Sequence, residues 1–256
     1  MEYSVRVLTM AEIDAPGASV FWGGHYDRWD PLYFYMVVMQ GDGKTIVINT
    51  GLPQPVDELN AHWEAWAGER CRARVSDEMK PQNALASIGL APSQVDVVII
   101  TPMVAYATAN IPLFDRAEIY LSKRGWLDYH APELPYGVPR DHLIPPAVAV
   151  HLVTDAWPRL HLLGDEGEVL PGITTFWTGV HHRSSMAVKI HTSKGHVVAG
   201  DSFWYYEHIE KNIPIGLAES LEEAGIAYER IRHEADLLLP LYDPELLQRH
   251  PGGIIA

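Results

Sequence analysis

Two adjacent histidines, His181 and His182, and one carboxylate, Asp201, stand at the two ends of a stretch that reads as a single β-hairpin. Met186, Val188 and Ile190 alternate with Ala187, Lys189 and His191, the period of a strand with one face buried. Ser193, Lys194 and Gly195 supply a turn, and the run from His196 to Gly200 is predicted to pair back on the first strand. Antiparallel pairing then brings the histidines and Asp201 to one rim of a sheet. An imidazole meeting a carboxylate at such a rim is suited to metal binding or to proton transfer. Arg183 follows directly and has the fork geometry to hold a substrate carboxylate. His25, in the loop sequence GGHYDRWD, is a further polar candidate on a segment of the kind that carries binding residues.

The elements that must position these residues follow an α/β rhythm. Strands are predicted over Ser4 to Thr9, Tyr33 to Met39 and Lys44 to Asn49, the last two joined by a turn at Gly41, Asp42 and Gly43. Helical spacing runs from Asp57 to Arg74, with carboxylates early and arginines late, and again from Gln82 to Leu90. Val95 to Ile100 is a continuous apolar run, as expected of a strand covered on both faces, and Ala117 to Ser122 is another strand. A polar loop beyond the carboxyl end of a buried strand is where α/β folds place their sites, which marks Thr101 to Ala109. The proline-rich stretch 123–171 reads as a peripheral, lid-like insertion in one domain spanning 1–256. After it come the hairpin, a helix from Ser220 to Ala235, a short strand at Leu237 to Leu239, and a helix start at Asp243 and Pro244.

Composition narrows the function classes. The 19 basic and 33 acidic residues give a net charge of −14, which repels nucleic acid and anionic membranes and leaves small molecules or other proteins as partners. One cysteine, Cys71, rules out an internal disulfide and has no spacing that suits a zinc ligand. The stretch 97–114 is uncharged but interrupted by Pro102, Asn110 and Pro112, a poor lipid-facing helix. A cytoplasmic location is the expectation, and the sequence says nothing of oligomeric state.

Six blocks, TIVINTGL (45–52), VDVVIITP (95–102), NIPLFDRAEIYLS (110–122), TGVHHRSSMAVKI (178–190), VVAGDSFWYYEHIEKNIPI (197–215) and LPLYDPELLQRHP (239–251), resemble the metallo-β-lactamase superfamily. The nearest likeness is to its N-acyl-homoserine lactonase branch. That resemblance implies an α+β fold, a four-layer αβ/βα sandwich with its site along one edge of two facing sheets. It also implies a dinuclear zinc centre, and here the sequence departs from the pattern. The superfamily's HxHxDH motif falls on Thr101 to Ala107, which reads TPMVAYA: Pro102 and Val104 replace two histidines, Tyr106 the aspartate and Ala107 the third histidine. The later histidine falls on His181 and the bridging aspartate on Asp201, while the last histidine is Tyr242. The usual DTG aspartate is Asn49, and a tyrosine of the lactonases is Trp204, followed by Tyr205 and Tyr206.

Proline, valine and alanine bring no lone pair to a zinc ion, which needs three or four N, O or S ligands. The expectation is therefore a hydrolase-like protein, metal-independent or metal-poor, acting on a small carbonyl compound such as a lactone or ester. Its catalytic set is His181 as base, Asp201 as its orienter, and Tyr106 and Tyr242 as hydroxyl donors. His25, His182, Arg183, Trp204 and Tyr205 are expected to contact the substrate. Two alternatives stay open: a non-catalytic binding protein, and one hard metal ion held by His181, Asp201, Tyr106 and Tyr242.

Overall fold

A computed structural model describes residues 1–132 and 143–256. Residues 133–142, part of the expected lid-like stretch and including Pro135, Pro139 and His142, lie outside the described residues. Two mixed sheets form the centre of the fold. The first has six strands in sequential order: β1 (Ser4–Pro16), β2 (Trp29–Gly41), β3 (Lys44–Ile48), β4 (Val97–Ile99), β5 (Glu118–Ser122) and β6 (Leu160–Leu163). The second has five, in the order β11 (Leu237–Pro240), β10 (Gly195–Gly200), β9 (Met186–Thr192), β8 (Ile173–Trp177) and β7 (Glu166–Leu170). Helices 57–67, 81–86 and 123–130 accompany the first sheet, and helix 221–234 packs on β10. The result is the αβ/βα sandwich expected from the sequence.

The branched side chains of β3, β4, β9 and β10 are what hold the layers together. Ile46, Val47, Ile48, Val98, Val188, Ile190, Val197 and Val198 are completely buried. At about 25 cal/mol per Å² of apolar surface, each contributes roughly 1.5–3 kcal/mol. The hairpin forms as read: Gly195 pairs with Thr192 and Gly200 with Ala187, and Gly195 takes the turn with φ of 100°.

Two expectations need correction. Helix 57–67 stops short of Arg70, Arg72 and Arg74, because Gly68 caps it with φ of 90°. The arginines serve other ends: Arg72 pairs with Glu64, and Arg74 with Glu12 and Asp14. The stretch 123–171 is no peripheral lid where it is described, since it supplies β6 and β7, one edge strand of each sheet. Ile144, Leu152 and Ala156 within it are fully buried. Residues 97–114 divide into β4, helix 105–108 and a single 3₁₀ turn, and no described helix is long and apolar enough to cross a membrane.

Candidate functional site

Asp201 follows β10 directly and has no solvent exposure. Its Oδ1 lies 2.6 Å from Thr101 Oγ1, and its Oδ2 accepts from Ser185 Oγ at 2.6 Å. The same Oδ2 lies 3.4 Å from His181 Nδ1. Thr101, just past β4, ties the two sheets together here: its hydroxyl also lies 2.8 Å from the Met186 carbonyl and accepts from Met186 N at 2.9 Å. The carboxylate is thus surrounded by donors from both sheets, as a buried charge must be.

Asn49 fixes Thr101 in turn. Its amide donates to the Thr101 carbonyl at 2.7 Å and accepts from the Thr101 N–H at 2.9 Å, so the side chain pairs with the peptide group as a neighbouring strand would. An aspartate at this position has no N–H to give. Asn49 itself adopts φ of 64°, a conformation asparagine tolerates better than most residues.

His181 is presented by a short loop between β8 and β9. Val180 before it sits at φ of 69°, which for a β-branched residue costs on the order of 1–3 kcal/mol. Two contacts hold it there: Val180 N donates to Glu223 at 3.0 Å, and Glu219 N donates to the Val180 carbonyl at 2.6 Å. With Nδ1 turned to Asp201, the tautomer that fits carries its proton on Nδ1 and leaves Nε2 as the basic nitrogen.

A pocket of about 80 Å³ lies against His181, lined also by Tyr106, Tyr242, Trp204, Phe34, Trp63 and Trp66, with Ile13, Ala15, Ser19, Leu32 and Leu217 completing the wall. That is room for several waters or a small organic group, taking roughly 10–15 Å³ per water by this measure. The four residues proposed for catalysis therefore do converge: three line the pocket and Asp201 stands behind His181. Burial pushes the phenols of Tyr106 and Tyr242 well above their ordinary range, and the Asp201 charge adds to the effect in both. Both phenols are protonated donors at neutral pH. The Tyr242 hydroxyl and the Trp204 indole N–H are buried without a well-formed hydrogen bond, although the Tyr106 phenol lies close to the former.

Of the five residues expected to contact substrate, only Trp204 lines this pocket. His25 is turned to Asp30 at 3.1 Å and packs on Phe21. Arg183 is no free carboxylate binder: its Nε meets Glu219 at 2.7 Å and its two terminal nitrogens meet Glu223 at 2.8 and 2.6 Å. His182 stacks on His181 and, with Arg183, lines a separate cavity beside helix 123–130; burial pushes its pKa well down. Tyr205 donates its hydroxyl to the Pro31 carbonyl. For His25, Arg183 and Tyr205 the reason is shared, since each polar group finds a partner nearer than the pocket, while His182 lies on the wall of the other cavity.

Sequence reasoning missed Ser185, the second donor to Asp201, and His208. His208 Nδ1 accepts the backbone N–H groups of Trp204 at 2.9 Å and Tyr205 at 3.0 Å, while Nε2 donates to the Val20 carbonyl at 3.1 Å. Burial lowers its pKa to about 3, so it stays neutral and shapes the loop that brings Trp204 to the pocket. Nothing in its sequence surroundings marks it apart from the other histidines.

The donors present do not fit the two-metal centre that the resemblance implies. Asp201's oxygens are engaged by Thr101, Ser185 and His181, and Pro102, Val104 and Ala107, at three of the implied ligand positions, bring no lone pair. Among the described residues no three His, Cys, Asp or Glu side chains gather as a ligand group.

Fold and site together define a chain with the metallo-β-lactamase fold. Solved structures of similar fold include hydrolases. An N-acyl homoserine lactone hydrolase, solved with N-hexanoyl-L-homoserine at its catalytic metal centre, superposes with a TM-score of 0.79 at 15% identity over 97% of both chains. A variant of B. thuringiensis AiiA with N-decanoyl-L-homoserine bound gives 0.80 at 15% identity, again over 97% of both chains. A probable metal-dependent hydrolase from Staphylococcus aureus gives 0.75 at 17% identity over 94% of this chain and 90% of that one. At such identities the likeness is one of fold. No family model and no curated protein sequence matches the chain.

Proposed function

We propose that this protein is a hydrolase-like enzyme of a small ester or lactone that works without the dinuclear zinc centre of its fold relatives. The observation that carries the reading is the convergence of His181, Tyr106 and Tyr242 on one pocket with Asp201 buried behind the imidazole. In this reading Asp201 holds the Nδ1–H tautomer, and His181 Nε2 takes a proton from water as the water oxygen attacks the carbonyl carbon. A phenol of Tyr106 or Tyr242 donates a hydrogen bond to the carbonyl oxygen as negative charge develops there, and His181 then returns its proton to the alcohol oxygen as the ester C–O bond breaks and the carbonyl re-forms. The high pKa values of the phenols suit them to donate a hydrogen bond without losing the proton. The N-acyl-L-homoserine molecules bound in structures of similar fold, one of them named as the product of a lactone hydrolase, support the substrate class. A binding-only role for the same pocket is favoured by one observation, the long 3.4 Å contact between His181 and Asp201.

A panel of small lactones and esters, assayed with wild type, His181→Ala and Tyr106→Phe, tests the proposal. Loss of the base is expected to lower turnover about 10²- to 10⁴-fold, and loss of one oxyanion donor about 10²- to 10³-fold. Wild-type rates in both variants sink the catalytic assignment. A ligand that binds in the pocket with no substrate turned over gives the binding-only role the better claim.

A further inference from the structure

Half of the residues lining the pocket are aromatic: Phe34, Trp63, Trp66, Tyr106, Trp204 and Tyr242. All of them but Trp66 form a connected set of rings in which Phe34 lies 5.6 Å from Trp63, 5.1 Å from Tyr106 and 5.3 Å from Tyr242. Tyr242 continues it to Tyr106 at 6.2 Å and Trp204 at 5.7 Å. The Tyr242 ring meets its neighbours at steep angles, 79° from Phe34, 86° from Tyr106 and 69° from Trp204, while Phe34 and Trp63 lie nearly parallel at 20°. Neutral apolar ligands are served equally well by aliphatic walls. What a box of aromatic rings adds is the negative potential of their faces.

The charge around the box has the same sign. Among the described residues no lysine or arginine lines the pocket, so an anionic ligand would meet no cation from them. Arg183, the one guanidinium near His181 in sequence, is held by Glu219 and Glu223. The negative field of Asp201 reaches both phenols, and the protein as a whole carries −14. A cation entering the pocket meets aromatic side chains, with the Asp201 carboxylate behind His181 adding its field from outside the wall.

The geometry points to an aromatic cage for an organic cation, so that the ligand of this pocket carries a quaternary or protonated tertiary ammonium group. The inference deepens the function proposed above, since it names the substrate class as an ester or lactone with a cationic arm, but the cage itself does not depend on catalysis. Trp63 and Trp66, on helix 57–67, are the walls that belong to the cage alone and have no part in the proton-transfer set.

Calorimetric titration of the full chain with choline and with 3,3-dimethyl-1-butanol, its neutral carbon isostere, separates charge recognition from apolar fit. Choline is expected to bind about tenfold more tightly. Trp63→Leu keeps an apolar wall but removes a ring face; it is expected to erase most of that preference while leaving the isostere's affinity nearly unchanged. Trp66→Leu, at a side chain that is 48% exposed and so tolerant of change, supplies the same comparison if the first variant fails to fold. Equal or tighter binding of the isostere overturns the cage, and so does the absence of heat with both ligands. A choline preference without ester turnover leaves the cage standing and removes the hydrolase reading; turnover of neutral esters without the preference does the reverse.

Discussion

Asn49→Asp restores the residue that the fold's relatives carry and is expected to damage this protein. The side chain is 5% exposed and makes both hydrogen bonds to the Thr101 peptide. A carboxylate keeps the bond from the Thr101 N–H but leaves the Thr101 carbonyl without a donor and sets two negative oxygens against it. An orphaned buried carbonyl costs about 1–3 kcal/mol, and the buried carboxylate adds about 1.4 kcal/mol for each unit its pKa is raised. A total of about 2–4 kcal/mol at neutral pH corresponds to a fall of roughly 5–15 °C in Tm for a chain of this size. Aspartate tolerates the left-handed backbone as asparagine does, so backbone strain does not confound the result. The sign of the pH dependence follows from burial. The new carboxyl's pKa is raised in the folded state, and only its protonated form can donate to the Thr101 carbonyl. The variant is therefore closest to wild type below the unfolded value of about 3.9 and loses stability as pH rises through the raised folded value. Thermal unfolding of both proteins across mildly acidic to neutral pH reads this directly. A variant as stable as wild type at neutral pH, or one whose deficit shrinks as pH rises, refutes the amide clamp.

Two further predictions concern the frame around the site. Gly125 lies inside helix 123–130, where alanine ordinarily stabilises by about 1 kcal/mol, yet a Cβ there would overlap the Cα and Cβ of Ser184. Gly125→Ala is expected to destabilise by about 1–3 kcal/mol in urea titrations, and a gain in stability contradicts the close packing of helix and loop. Asp243 is buried, its carboxyl pushed up to about 6 despite hydrogen bonds from Tyr206 N and Glu245 N. Because the folded value lies above the unfolded one, this group's contribution to stability is complete below about pH 4 and is lost as pH rises through about 6. Asp243→Asn is expected to remove that component from the stability profile, and an unchanged profile shows that another group is responsible.

The fold was legible because its signals are periodic and continuous. The apolar runs at 45–49 and 95–100 and the alternating hairpin at 186–200 are each long enough to define a buried strand without help from tertiary contacts. The edge strands β6 and β7 were hidden because their residues are half exposed and lie in a proline-rich stretch, so that only pairing with β5 and β8 makes them strands. At the site, the meeting of His181 and Asp201 was readable from where the hairpin strands end, whereas the place of Tyr106 and Tyr242 beside them was implied only by the superfamily resemblance. The fate of Arg183 was not, because Glu219 and Glu223 lie 36 and 40 residues away and meet it only after helix 221–234 has docked. The role of His208 was hidden for a related reason: its partners are backbone groups, which leave no trace in residue types.

The central claim is that proton transfer between imidazole, carboxylate and phenols replaces the metal chemistry of the fold. Zinc content and ester hydrolysis measured on one purified preparation, before and after chelation, test it most directly. The account predicts well under two equivalents of zinc per chain and a turnover rate unchanged by the chelator. Two tightly held zinc ions whose removal abolishes turnover would contradict it.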